Sequence, residues 1–176
     1  MFKYCPSCAC EKIEFSGRHF YCNACGFCYY HNTAAAAGCV IETDGRAVLL
    51  VRGKDPMKGK LDLPGGFIDP VEGVFEGLLR ELQEELGWTP PNPGSLPLSA
   101  IFSLFASFPN VYPYKNIVYN TCDMFFKVSV PGLTEKSFTL EEPDIAGVLI
   151  KKPQEINPAD LAFESTRRAI AAYVKS

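Results

Sequence analysis

The sequence predicts an α+β protein, a mixed β-sheet sandwiched with helices and preceded by a small cysteine-rich unit. Strand-like segments lie on both sides of one strongly patterned helix, without the regular βαβ alternation of a parallel sheet. Six of the eight cysteines fall between Cys5 and Cys28, so the first thirty residues differ in texture from the rest. A chain of 176 residues accommodates one domain with an appendage, and the change in texture divides it into 1–31 and 32–176.

Composition narrows the class. Hydrophobic residues make up 47% and charged residues 21%, ordinary for a folded protein, and the net charge is −3. A nucleic-acid binder would need a clustered basic surface, so nucleic acid is not an expected partner. No apolar run approaches the roughly 18 residues that span a bilayer, so no membrane is expected. The opening Met1-Phe2-Lys3-Tyr4-Cys5 lacks an apolar signal segment. A cytoplasmic location follows as the expectation, and with it cysteines that hold metal rather than form disulfides.

Within the first unit, Cys5-Pro6-Ser7-Cys8 and Cys22-Asn23-Ala24-Cys25 are separated by thirteen residues. Four thiolates in two close pairs suit tetrahedral zinc. The segments 12–15 and 18–21 make a hairpin between them, so the unit resembles a zinc ribbon with a structural Zn2+. Cys10 and Cys28 each lie two or three residues from a proposed ligand and leave the choice open. His19 and His31 read as ordinary strand and linker residues. Cys39 and Cys122 read as buried, inert thiols within strands. So small a unit buries too little apolar surface to fold alone and would rely on the metal.

The second unit opens with a small-residue and β-branched strand at 34–42. The turn Thr43-Asp44-Gly45-Arg46 is a hairpin signal leading to a buried strand at 47–51. Residues 59–66 read as loop. A helix is predicted over 70–86, with Asp69 as N-cap, Pro70 in its first turn and Glu72 completing a capping box. Gly87 stops it. Val71, Phe75, Leu78, Leu79, Leu82 and Leu86 form its apolar face. Pro90, Pro91, Pro93 and Pro97 exclude helix from the next stretch. Strands are predicted at 99–108, 117–130 and 145–151, and a closing helix at 164–175.

The chemistry sits on the first helix. At 100° per residue, Glu81, Glu84 and Glu85 fall within one arc of about 100°. Glu76, Arg80 and Glu84 form a ladder at i, i+4. The like-charge pair Glu81/Glu85 costs a few tenths of a kcal/mol in an isolated helix. A divalent cation reverses that sign, because magnesium takes hard oxygen ligands together with substrate phosphates. Arg80 could hold Glu84 while staying near a phosphate. The competing reading is a solvated, glutamate-rich surface helix.

The wider pattern resembles the Nudix family, whose box is G-x5-E-x7-R-E-U-x-E-E-x-G-U with U bulky and apolar. Gly66, Glu72, Arg80, Glu81, Leu82, Glu84, Glu85, Gly87 and Trp88 fill every specified position. A chance match is on the order of 10⁻⁸ per start site at background frequencies of roughly one in fifteen. Leu63-Pro64-Gly65 matches the usual lead-in, although Leu61 stands where many members carry Trp. The resemblance implies a Nudix-type α/β/α sandwich with a mixed sheet. It also implies magnesium, or Mn2+, on Glu81, Glu84 and Glu85 with the Gly65 carbonyl, and Glu72 and Arg80 as orienting residues. The implied reaction is hydrolysis of a diphosphate bridge, with Glu81, Glu84 or Glu85 as general base. Other members place the base on a later loop. The position aligned with it is Gly147, near Glu141, Glu142 and Asp144.

A ribbon ahead of such a domain is similar to NADH pyrophosphatases and to a group acting on ADP-ribose and FAD. Tyr30-His31-Asn32 and Leu161-Ala162-Phe163 look like the second group. The S-Q-P-W-like signature of the NADH enzymes has no counterpart in residues 105–114. Phe108, Tyr112, Tyr114 and Phe163 are candidates for stacking on a base, with packing as their alternative role. The expected partner is therefore a nucleotide-diphosphate small molecule, and family members are often homodimers. Two other functions stay open: nucleoside triphosphate sanitising, and a non-catalytic module sensing ADP-ribose or NAD.

Overall fold

A computed structural model describes residues 3–91, 94, 96–140 and 143–175. Pro93, Glu141 and Glu142 lie outside the described residues. The chain divides into two compact units, one ending at Thr33 and the other beginning at Ala34.

The first unit is a three-stranded antiparallel sheet of β1 (Ile13–Phe15), β2 (His19–Cys22) and β3 (Cys28–Tyr30). Each cysteine pair precedes a tight turn. Ala9 N–H bonds the Cys5 carbonyl and Gly26 N–H bonds the Cys22 carbonyl, with positive φ at Ala9 and Gly26. Phe20, 2% exposed and flanked by the Phe27 and Tyr29 rings, is the main apolar anchor.

The second unit is built on a seven-stranded mixed sheet with main path β10-β5-β4-β9-β8. Its strands are β4 (Ala34–Thr43), β5 (Arg46–Arg52), β6 (Leu61–Asp62), β7 (Gly65–Phe67), β8 (Ser103–Tyr114), β9 (Ile117–Ser129) and β10 (Ile145–Lys151). Asp44 and Gly45 both take positive φ, as a two-residue turn matched to strand twist requires, and they join β4 to β5. β4 runs parallel to β9, and every other pairing is antiparallel.

Alternation along the strands makes two cores. Cys39, Ile41, Val48 and Leu50 face α1 (Val74–Leu86), where Leu78, Leu82 and Leu86 are fully buried. Val40, Ala47, Leu49 and Phe125 face Ala169 and Ile170 of α3 (Glu164–Tyr173). A helix on each face gives the expected sandwich. Each fully buried leucine contributes roughly 1.5–3 kcal/mol.

Four expectations need correction. The first helix begins at Val74 with Gly73 as its extended N-cap, not at Pro70 after Asp69. Glu72 does reach back to the Asp69 N–H at 2.8 Å, but Arg80 holds the same carboxylate, so 69–72 stays a turn outside the helix. Val71 is therefore 99% exposed and not part of the apolar face. The loop at 59–66 contains β6 and the start of β7. Residues 98–101 form a short helix, α2 (Leu98–Ile101), and the strand after it runs to Tyr114. It includes Pro109 and Pro113, because β8 ends the main path of the sheet, where a residue without an N–H is tolerated. Cys122 is exposed beside Ser107, because the alternation that turns Thr121 and Asp123 inward turns it outward.

Candidate active site

The site forms where β7 crosses in front of α1. Gly65, at φ +134°, passes so close to β4 that a Cβ would meet the Ala37 carbonyl oxygen at 2.1 Å. Its N–H donates to Glu85 Oε2 at 2.7 Å. At Gly66 a Cβ would lie 2.5–2.6 Å from the Glu81 carboxyl group. The bare backbone of these two residues thus leaves room for two helix carboxylates.

Arg80 organises the other acidic groups. Its Nε and Nη2 donate to Glu72 at 3.1 and 2.7 Å, its Nη1 to Glu81 and Glu84 at 2.9 and 2.8 Å, and Nη2 also to the Phe67 carbonyl at 3.1 Å. Five donors meet five acceptors. All five N–H donors of Arg80 are thus engaged within the protein, the bond to Glu84 among them. Glu76 is not on that ladder and folds toward Gly73. The guanidinium hydrogen bonds hold the Glu72 carboxyl at a pKa of about 2, and the carboxylates hold Arg80 protonated.

Gly77 is needed in the same arrangement, since a Cβ there would meet Glu72 Oε1 at 2.6 Å and Ile68 at 2.8 Å.

Glu81 and Glu85, with Gly65 and Gly66, line a cavity of about 530 Å³. Glu84 does not line it; its half-exposed side chain turns to Arg80. Among the described residues, these carboxylates do not converge within 4.8 Å as a ready metal cluster. Like charges spread apart, and Arg80 and the Gly65 N–H hold them in two directions. The donors are nonetheless all hard oxygens beside a glycine cradle, which suits magnesium or manganese.

The rest of the cavity lining was not legible in the sequence. Ala34, Ala36 and Gly38 of β4 supply a small-residue floor, and Thr121, Asp123 and Phe125 of β9 point into it at every second position. Arg52, Lys54, Asp62, Tyr119 and Thr166 also line the cavity, and Asp144, paired with Lys54, stands with them. The legible signal was Thr121-x-Asp123, two polar residues sharing one face of an apolar strand.

The four aromatic candidates separate. Tyr112, Tyr114 and Phe163 line the cavity, with the Tyr112 and Phe163 centroids 5.3 Å apart. Phe108 is not among the lining residues; it packs on Phe125 beneath the Arg168 guanidinium. Phe163 reaches the cavity because Ala162 N–H bonds the Leu61 carbonyl, docking the 161–163 segment on β6. Gly147 lies within β10, paired with Val51.

In the first unit, one sulfur from each of Cys5, Cys8, Cys22 and Cys25 lies within 4.8 Å of the others. The Cys5–Cys25 and Cys8–Cys22 sulfurs are 3.7 Å apart, far longer than the roughly 2.05 Å of a disulfide. Four sulfurs about 2.3 Å from a tetrahedral centre would be about 3.8 Å from one another. Cys10 instead accepts from the Lys12 N–H, His19 pairs with Ser16, and neither belongs to the quartet, nor does Cys28.

The NUDIX domain family model matches residues 32–173. An ADP-ribose pyrophosphatase of Methanocaldococcus jannaschii is 42% identical over 62 residues, 35% of this chain and 36% of that protein. The NAD-capped RNA hydrolase NudC of Stutzerimonas stutzeri is 31% identical over 86 residues, 48% of this chain and 31% of that protein. The matched stretches span about a third of each relative. The solved structure of a NUDIX hydrolase from Nitrosomonas europaea shares the fold over 99% of this chain and 91% of that one, at 23% identity and a TM-score of 0.69. Among the described residues, no helix is long and apolar enough to cross a membrane.

Proposed function

The chain belongs to the NUDIX domain family, and from that premise we propose that it is a pyrophosphohydrolase of nucleotide-diphosphate compounds, the ADP-ribose, NADH or FAD class. The observation that carries this reading is the opening of Glu81, Glu85 and the Gly65–Gly66 cradle into the same cavity as Tyr112 and Phe163. The cavity offers oxygen donors for a metal-bound diphosphate and aromatic walls for the rest of a nucleotide. The names of the two matched relatives, an ADP-ribose pyrophosphatase and an NAD-capped RNA hydrolase, support the same class.

Glu81, Glu84 and Glu85 with the Gly65 carbonyl are the groups that would hold magnesium or manganese. Bound there, the cation supplies charge neutralisation at the bridging phosphates and acidifies water. The chain's own residues do the rest. Glu72 fixes Arg80, Arg80 presents Glu81 and Glu84, and the Gly65 N–H fixes one oxygen of Glu85. One of these three box glutamates takes the proton from the attacking water. Glu85 is already seated in the cavity wall, whereas Glu84 must swing from Arg80 to join it.

The first unit, residues 1–31, is proposed as a structural zinc ribbon on Cys5, Cys8, Cys22 and Cys25, and 32–176 as the catalytic domain. A homodimer is the proposed assembly and the cytoplasm the proposed location.

The test is incubation of the purified chain with Mg2+ and a panel of ADP-ribose, NADH, FAD, nucleotide sugars and nucleoside triphosphates. Release of AMP from the adenosine diphosphate compounds is expected. Products that all retain the diphosphate would remove the reading and favour a sensing module; exclusive turnover of triphosphates would favour a sanitising hydrolase.

A further inference from the structure

Two further carboxylates that line the cavity, Asp62 and Asp123, have no part in the chemistry above. Asp123 is 8% exposed, lines the cavity, and its Oδ1 accepts from the Thr121 hydroxyl at 2.5 Å. No Lys, Arg or His pairs with it among the described residues. Asp62 is held chiefly through one oxygen: its Oδ1 accepts from Thr166 Oγ1 at 2.7 Å and from the Leu63 N–H at 3.0 Å. Its Oδ2 has Arg52 Nη1 at 3.4 Å, beyond a strong charge-assisted bond. Burial, with the Asp123 charge as a smaller contribution, pushes the Asp62 carboxyl above the ordinary range.

A nearly buried carboxylate with lone pairs left over is costly unless a donor meets it. Thr121 satisfies one oxygen of Asp123, and the residue lines the cavity. Against Asp123 itself phosphate is the wrong occupant, because it is an anion without donors. A neutral, donor-bearing group is the right one, and Asp123 lines the same cavity as Tyr112 and Phe163, which suit a flat ring.

We propose that Asp123, seconded by Asp62, accepts hydrogen bonds from the nucleoside part of the substrate, from its ribose hydroxyls or from the amino edge of its base. The inference rests on the nucleotide-diphosphate reading above and deepens it. It assigns the substrate's orientation: phosphates at Glu81 and Glu85, nucleoside donors at Asp123. It also makes the pocket selective for ribonucleosides or amino-purines over analogues lacking those donors.

The experiment is calorimetric titration of the full chain with AMP, 2′-deoxy-AMP and IMP, for wild type and Asp123→Asn. Asn keeps an oxygen for Thr121 but loses the charge and acceptor capacity offered to the ligand. Wild type is expected to bind AMP roughly tenfold or more tighter than at least one analogue, the size of a lost bond to a charged group. A penalty for 2′-deoxy-AMP identifies the ribose as donor, and a penalty for IMP identifies the base. In Asp123→Asn the discrimination is expected to fall to within about threefold. Equal wild-type binding of all three ligands, binding of none, or discrimination unchanged in the variant overturns the proposal. The wild-type comparison stands even if the variant fails to fold. Because no diphosphate is cut, hydrolysis of ADP-ribose without this selectivity sinks the inference alone, and selectivity without hydrolysis sinks only the catalytic reading.

Discussion

Arg80 grips Glu72 with two hydrogen bonds, 3.1 and 2.7 Å, across eight residues of sequence. The pair lies outside the cavity, yet it fixes the side chain that presents Glu81 and Glu84. Glu72→Gln keeps the shape but removes the charge. Support groups of this kind typically cost about 10–100-fold in metal affinity or activity when lost. The expected outcome is a rise in the Mg2+ concentration giving half-maximal turnover, with an unaltered circular dichroism spectrum. An unchanged magnesium dependence would contradict the positioning role.

The same pair sets a pH dependence of stability. Arg80 depresses the Glu72 pKa from an ordinary value of 4.5 to about 2 in the folded state. The unfolded chain therefore takes up this proton first as pH falls. The stabilisation is full above about pH 4.5 and is lost as pH falls toward 2. Urea midpoints at pH 7, 4.5 and 3 are expected to fall less steeply in Glu72→Gln than in wild type. Parallel curves would show that the pair carries no linkage.

Glu85→Gln and Glu84→Gln probe the proposed chemistry directly. Loss of a metal-binding carboxylate, or of a general base, is expected to lower kcat by roughly 10²–10⁴-fold. Glu84→Gln also removes an exposed ion pair with Arg80, worth at most about 1 kcal/mol, so the melting temperature should stay nearly fixed. Full activity in both variants would refute the assignment of the metal ligands.

The box residues were legible because their chemistry is local: spacing along one helix places Glu81 and Glu85 together whatever the remainder does. The sandwich was legible for a similar reason, since Val48/Leu50 and Ala47/Leu49 declare two buried faces. What failed was non-local. Asp69 looked like a helix cap until Arg80, eleven residues on, captured Glu72 and delayed the helix to Val74. The strand predicted at 99–108 runs on through Pro109 and Pro113 to Tyr114, and no spacing says that β8 ends the main path of the sheet, where proline is tolerated. Asp62 and Asp123 come together only through the pairing of β6 with β5, β5 with β4 and β4 with β9. Polar residues on an apolar strand were visible; their common cavity was not.

Gly65 and Gly66 should respond differently to alanine. At Gly65 the new Cβ meets backbone at 2.1 Å in a left-handed conformation. Strain of this kind costs about 1–3 kcal/mol or more, so the melting temperature should fall by roughly 5–10 °C. At Gly66 the obstacle is the Glu81 carboxyl, the movable end of a side chain. Gly66→Ala is expected to fold with little loss of stability while turnover drops, because Glu81 is displaced. Equal destabilisation of the two variants would mean that the close approach at Gly66 involves backbone rather than Glu81.

The cysteines give a count that tests the ribbon without any activity assay. Cys28 and Cys122 are exposed and Cys10 is partly exposed, whereas Cys39 is fully buried and burial raises its thiol pKa. Cys5, Cys8, Cys22 and Cys25 form the quartet that zinc would occupy. Metal-bound thiolates react slowly with thiol reagents, so three thiols should label rapidly in the zinc-loaded protein. A strong chelator should raise that number to seven, because the small unit has little besides the metal to hold its sulfurs together. Cys39 should label only after denaturation. Elemental analysis should give a zinc-to-protein ratio near one, and Cys8→Ser should reduce it sharply. Seven thiols labelling at the outset, with no metal in the purified chain, would remove the ribbon.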